Sequence, residues 1–204
     1  MTFFKGGFME ETLVFIDGGF ISKLSWHLGK GNHLKFDLIK FSKLLGKKHE
    51  LLVKKVFYYT APPFQSDPPT KDQIKRKQGY DKFINNFKDN NFFIIKEGRV
   101  QRIIDGDGKE KFKQKGVDTL MTSGLVSIPI KFPEIKKTIL VTSDTDFCPI
   151  IKDLEELGLN VLLYTYYERK RNTLFSTSHH LIDSCRDVNY LTKEDFISAS
   201  FDKK

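Results

Sequence analysis

Residues 137–157 read KTILVTSDTDFCPIIKDLEEL. Ile139, Leu140 and Val141 form a short apolar run, a polar cluster at 142–146 stops it, and Phe147, Ile150, Ile151, Leu154 and Leu157 then recur at helical spacing. The stretch predicts a buried strand, a tight turn and an amphipathic helix. Asp144 and Asp146 therefore fall at the carboxyl end of a strand, where open α/β sheets hold their ligands.

The same order of events stands near the start of the chain. Residues 13–16, LVFI, stop at Asp17, and Gly18-Gly19 lead into Phe20, Ile21, Leu24 and Leu28 at helical spacing. The glycine pair allows a sharp turn without a Cβ clash. Outward from these two units, residues 36–45 predict a helix ended by Gly46, and residues 53–59 a strand. Residues 61–69, APPFQSDPP, form an exposed loop, because prolines remove donors and restrict their neighbours. A helix is predicted from Lys71 to about Lys88, with Ile74, Tyr80, Phe83, Ile84 and Phe87 inward and Lys71, Lys75, Arg76 and Lys77 outward. Residues 92–95 and 99–104 read as two strands or a β-ribbon, DGDG at 105–108 as a hairpin turn, and 109–115 as a basic tract. A calcium loop is excluded there, since its twelfth position holds Gly116 rather than Glu. Residues 117–128 predict a helix with Asp118 in its first turn. Residues 159–164 follow as a strand, 169–171 as a basic loop, 172–182 as a helix and 193–198 as a closing helix.

Alternating helices and near-continuous apolar strands place the chain in the α/β class: one domain with a doubly wound, mostly parallel sheet and helices on both faces. Its 204 residues, 39% hydrophobic, are enough to bury a full core. No stretch approaches the roughly 18 apolar residues of a membrane span, and the first residues lack a signal-peptide pattern, so the expectation is a cytoplasmic protein without membrane attachment. Cys148 and Cys185 fit a reducing compartment better than a disulfide framework. The net charge of +8 favours a polyanionic partner.

If the strands ending at Asp17 and at Thr142 are neighbours at the switch in strand order, Asp17, Asp144 and Asp146 converge on one crevice, and Asp118 can point into it. Four carboxylates about 5 Å apart repel by roughly 3 kcal/mol per pair at an effective dielectric near 20. A domain's whole stability is only about 5–15 kcal/mol. Either some acids are protonated or a cation sits between them, and an oxygen-only set suits Mg2+ or Mn2+.

The segments VFIDGGFI (14–21), KVFYYTAPP (55–63), QKGVDTLMTSGLV (114–126) and VTSDTDFCPIIKDLEELGLNVLLY (141–164) resemble the four motif blocks of NYN domain proteins, the LabA or DUF88 group of PIN-like nucleases. The resemblance covers about residues 12–190. It implies a PIN-like sheet, a divalent-metal site and endonucleolytic cleavage of RNA. By motif it assigns Asp17, Asp118, Asp144 and Asp146 as the metal-binding, catalytic acids. One position departs from the pattern: many members carry a further Asp six residues after the KGVD aspartate, where this chain has Gly124.

Cleavage by such a site leaves a 5′ phosphate and a 3′ hydroxyl, with one or two cations stabilising the charge that builds up. Thr142, Ser143 and Thr145 are placed to hold a water or a phosphate oxygen beside the cation, and Lys115 to pair with the scissile phosphate. Lys71, Lys75, Arg76, Lys77, Arg99, Arg102 and Lys113 would track the backbone of single-stranded or looped RNA. Tyr58, Tyr59 or Phe64 would stack on an unpaired base. DNA is an open alternative substrate, and a homo-oligomer is compatible with the sequence.

Each residue also has a plainer reading. Asp146 can cap a helix, Asp118 can complement a helix dipole, and Asp17 before two glycines can be a turn residue. The lysine-rich helix face can simply be solvated, and Tyr58 and Tyr59 can fill the sheet. Cys148 fits a small buried hydrophobe, and His179 and His180 lack spaced partners for zinc. A glycosyltransferase would leave Asp17 and Asp118 without purpose. An aspartyl phosphatase needs an acid where Gly19 stands, and no GxxxxGK[ST] loop supports an NTPase. The competing reading from another class is a catalytically weak, PIN-like RNA-binding or scaffolding module.

Overall fold

The computed structural model describes residues 9–168, 175 and 179–201. In chain order these form β1 (Glu11–Asp17), α1 (Gly18–Leu28), α2 (Leu38–Lys47), β2 (Leu52–Thr60), α3 (Lys71–Asn85), β3 (Phe93–Glu97), β4 (Arg99–Ile104) and β5 (Glu110–Lys115). They continue with α4 (Val117–Val126), α5 (Ile128–Lys131), β6 (Lys137–Val141), α6 (Cys148–Glu156), β7 (Asn160–Thr165), α7 (His179–Asp183), β8 (Asp187–Tyr190) and α8 (Lys193–Ser198). A single 3₁₀ turn, Thr145–Phe147, joins β6 to α6.

Six strands make one sheet in the order β3-β2-β1-β6-β7-β8, with every neighbouring pair parallel. This is the doubly wound arrangement, and its direction of winding reverses between β1 and β6. Alternation along each strand feeds two separate cores. Val14 and Ile16 pack with Phe20 and Leu24 of α1, Phe41 of α2 and Phe196 of α8. Leu13 and Phe15 pack on the other face with Met121 of α4, Ile151 of α6 and Leu181 of α7. Phe147 and Ile151 are fully buried, and burial of each such side chain is worth about 1.5–3 kcal/mol. Those two residues pin the start of α6, and with it the acid cluster, against the sheet.

The middle of the chain departs from the predicted elements. β3 joins the main sheet beside β2, whereas β4 pairs antiparallel with β5 in a separate two-stranded arm. The basic tract is thus a strand, and every residue of it is exposed, so no hydrophobic alternation marks it. DGDG is its turn, with Asp105 Oδ1 accepting from the backbone N–H groups of Asp107 and Lys109. α3 stops at Asn85 and buries none of its residues fully. Ile74 is exposed rather than inward, and contact with the core begins only at Phe83 and Phe87. The half-exposed edge strand β8 carried no clear sequence signal. The basic loop 169–171 and the first part of the helix expected over 172–182 lie outside the described residues.

Asp17 is followed by α1 with no intervening loop. A Cβ at Gly18 would lie 2.7 Å from the Tyr58 ring and from the Tyr59 carbonyl oxygen. Glycine is required there by close packing on β2 rather than by a loop. Among the described residues no helix is long and apolar enough to cross a membrane.

Candidate functional site

β1 and β6 lie side by side with Ile16 opposite Val141, so Asp17 and Thr142 leave the sheet at the same carboxyl edge. Asp17 caps α1: its Oδ1 accepts the N–H of Gly19 at 2.8 Å and of Phe20 at 3.1 Å. Asp144 caps the 3₁₀ turn in the same way, accepting the Asp146 N–H at 2.9 Å. Thr142, fully buried, joins the two acids. Its hydroxyl oxygen accepts the Asp144 N–H at 3.2 Å, and the hydroxyl donates to Asp17 Oδ2 at 3.5 Å. The polar turn after β6 is therefore tied back to the end of β1.

Asp118 arrives from a third direction, in the first turn of α4. The helix is entered through Gly116, whose φ of 80° is open to glycine and strained for other residues. Asp118 and Asp146 are exposed, and Asp17, Ser143, Asp144 and Thr145 are half-buried. Burial raises the Asp17 carboxyl above its ordinary 3.8; the N–H groups of Phe20 and Gly19 pull it back, and the Asp118 charge pushes it up again. Asp118 is likewise raised, first by partial enclosure and then by the charges of Asp144 and Asp146. Charge coupling thus runs from Asp17 through Asp118 to Asp144 and Asp146.

These acids share a field more than a finished coordination shell. Among the described residues no three or more His, Cys, Asp or Glu side chains are gathered into a ready-made metal cage. The donor chemistry nevertheless fits a hard divalent cation. Every group is a carboxylate, and Asp17 and Asp118 are held above their ordinary range by burial and then by neighbouring carboxylates, a cost that a cation removes.

A sequence profile of the NYN domain matches residues 11–192. The chain belongs to the NYN domain family. This is a PIN-like nuclease family. No curated protein matches the chain. A crystal structure of a protein of unknown function from Vibrio parahaemolyticus is similar at 17% identity, with a TM-score of 0.57, over 94% of this chain and 98% of that one. At that identity the likeness establishes the shared α/β fold and nothing of the chemistry.

The basic residues of this NYN domain fall into two groups. Lys71, Lys75 and Arg76 are exposed on α3, and Lys113 and Lys115 on β5, where Lys115 stands opposite Arg99. Lys77 is paired with Asp81 at 2.6 Å, and Arg102 with Glu110 at 3.1 Å, so neither charge is fully available to a ligand. Tyr58 and Tyr59 are 8% and 1% exposed, which removes them as base-stacking rings and makes them part of the sheet's cores. Phe64 stays partly accessible and packs on Phe112 of β5, ring centroids 4.9 Å apart.

Two features of the NYN domain site were not foreseen. The Gln114 carboxamide oxygen lies 3.4 Å from where a Cβ on Gly19 would stand, so the arm reaches over the start of α1. Gln114 opens the QKGVD segment, but nothing in its spacing marks it as a neighbour of Asp17. Gly124, where a further acid was considered, is walled off: a Cβ there would collide with the Tyr59 hydroxyl and lie 3.0 Å from Phe15. Cys148 is fully buried as expected, and burial pushes the Cys185 thiol up to about 12, so both thiols are inert.

Proposed function

We propose that this NYN domain is a divalent-metal-dependent endoribonuclease of the LabA/DUF88 type, which hydrolyses RNA phosphodiester bonds to leave 5′-phosphate and 3′-hydroxyl ends. The observation that carries the reading is the meeting of charge at Asp118, which raises Asp17 and is itself raised by Asp144 and Asp146. The reading is supported by the acids' origin in three separate segments, two of which, after β1 and β6, leave the sheet where its winding reverses.

When bound there, Mg2+ or Mn2+ supplies charge neutralisation at the non-bridging oxygens, activation of water and stabilisation of the leaving 3′ oxygen. Asp17, Asp118, Asp144 and Asp146 are the residues that would hold it. Thr142 keeps Asp17 and Asp144 in fixed relation, and Ser143 and Thr145 offer hydroxyls to a water or a phosphate oxygen. Lys115 pairs with the scissile phosphate while Lys71, Lys75, Arg76, Arg99 and Lys113 track the strand, with smaller parts for the paired Lys77 and Arg102. The substrate is unpaired RNA in a reducing, cytoplasmic setting, where both thiols stay free.

Magnesium-dependent cleavage of a labelled single-stranded RNA, compared with an Asp144→Asn variant, tests the reading. Equal cleavage by both proteins sinks it. A second reading, an RNA-binding module with a weakened site, is favoured by the blocked Gly124 position. RNA binding without cutting in magnesium or manganese selects it.

A further inference from the structure

Between the proline-rich loop, the start of α3 and the arm lies a groove of about 460 Å³, lined by Phe64, Gln73, Arg76, Glu110, Phe112 and Gln114 among others. That volume falls within the range of small-molecule sites. Phe112 is 50% exposed although it is a large aromatic on a strand, and the Phe64 ring props it from one side. A ring held this way is a platform whose conformational freedom is already spent. Gln114 follows two residues later on the same face of β5, and its carboxamide reaches the start of α1 beside Asp17. Gln114 therefore links the groove it lines to the neighbourhood of Asp17.

The chemistry of the lining selects the ligand. Arg76 borders the groove, and among the described residues it has no carboxylate within salt-bridge distance, its Nε donating only weakly to the Asp72 carbonyl at 3.4 Å. Glu110 in the same lining is paired with Arg102 at 3.1 Å, so the pair adds little net charge, and its second carboxylate oxygen offers an acceptor to an amino group. An aromatic platform with amide and carboxylate groups matches a flat heterocycle bearing donors and acceptors on its edge.

We propose that this groove binds one unpaired nucleobase of the RNA strand, stacked on Phe112 with its edge toward Gln114 and Glu110, next to the phosphodiester presented to the acids. The position of that phosphodiester rests on the nuclease reading; the base site itself does not require cleavage.

The test uses the whole chain and a short fluorescein-labelled single-stranded RNA, in EDTA so that nothing is cut, read by anisotropy. Phe112→Ala lowers affinity about tenfold, as expected for loss of one base–aromatic stack, and Phe112→Trp retains it. In a series with each base in turn made abasic, one position costs the wild type about tenfold and costs Phe112→Ala less than about twofold. Equal affinity of wild type and Phe112→Ala, or equal sensitivity of both to every abasic position, overturns the proposal. So does a shift from dimer to monomer in sedimentation with RNA affinity unchanged, which would make the ring a contact between copies. If the abasic signature is present but the wild type never cuts RNA in magnesium or manganese, the groove stands and the nuclease reading falls.

Discussion

At the β1–β6 edge Asp17 ends a strand and Asp144 follows one, with no solvent behind those strands, Leu13, Val14, Ile16 and Ile139 all being 0% exposed. The β4–β5 arm is the reverse: six paired registers standing outside the main sheet, with every residue of β5 exposed. Geometry at the edge is imposed by two cores, whereas the arm is held mainly by its own ladder and by contacts such as Phe64–Phe112. Such a division suits a nuclease, in which charge must be placed to within fractions of an ångström while the strand being cut varies in sequence. Edge residues should then govern chemistry, and arm residues affinity.

The largest effect expected is at the edge. Asp144→Asn should lower single-turnover RNA cleavage by at least about 100-fold, by analogy with loss of one charge-stabilising group, and change RNA affinity by less than about twofold. A comparable cleavage loss from Lys113→Ala would dissolve the distinction between the regions. Next is the packing behind the edge. Gly124→Ala should destabilise the fold by about 1–3 kcal/mol in urea unfolding, because the new methyl group meets Tyr59 and Phe15. Tyr59→Phe in the same chain should recover part of that loss, and no recovery would mean that the hydroxyl is not the obstacle.

Smaller effects separate the basic residues. Lys75→Ala or Lys113→Ala should each reduce the salt slope of RNA binding by about 0.7, the value for one contact to a single strand. Lys77→Ala should reduce it less, since Asp81 already neutralises that lysine. The smallest concerns the repulsion itself. A carboxyl raised above 3.8 binds its proton more tightly folded than unfolded, so the stability tied to Asp118 falls as pH rises from about 3.8 through the raised value and stays reduced at neutral pH. In EDTA at pH 7, Asp118→Asn should therefore raise Tm by about 1–2 °C, a modest gain because the residue is exposed. The same variant should lose any stabilisation that magnesium gives the wild type.

The comparison also explains what could be read from the amino acids. Strands ending at Asp17 and Val141 were legible because burial on both faces leaves uninterrupted apolar runs, whereas their adjacency was only a condition of the reading until the sheet order supplied it. The positions of Asp17 and Asp144 beyond apolar runs, and of Asp118 in a first helical turn, were legible from pattern; their joint role as one site is the proposal made above. β5 was not, since EKFKQK faces water on both sides and a strand of that kind carries no period to detect. The outward turn of Ile74 was hidden for a related reason: helical spacing names a stripe without saying whether anything covers it. Gln114 and Phe112 were missed because their neighbours, Gly19 and Phe64, are brought to them only by tertiary folding.

Gly116 is the single residue between the arm and α4, and Asp118 lies two positions beyond it. The orientation of the arm and the start of α4 are therefore joined by that one residue, close to the acid that is raised by Asp144 and Asp146. A load on β5 would thus reach Asp118 through one residue, whose φ of 80° is open to glycine.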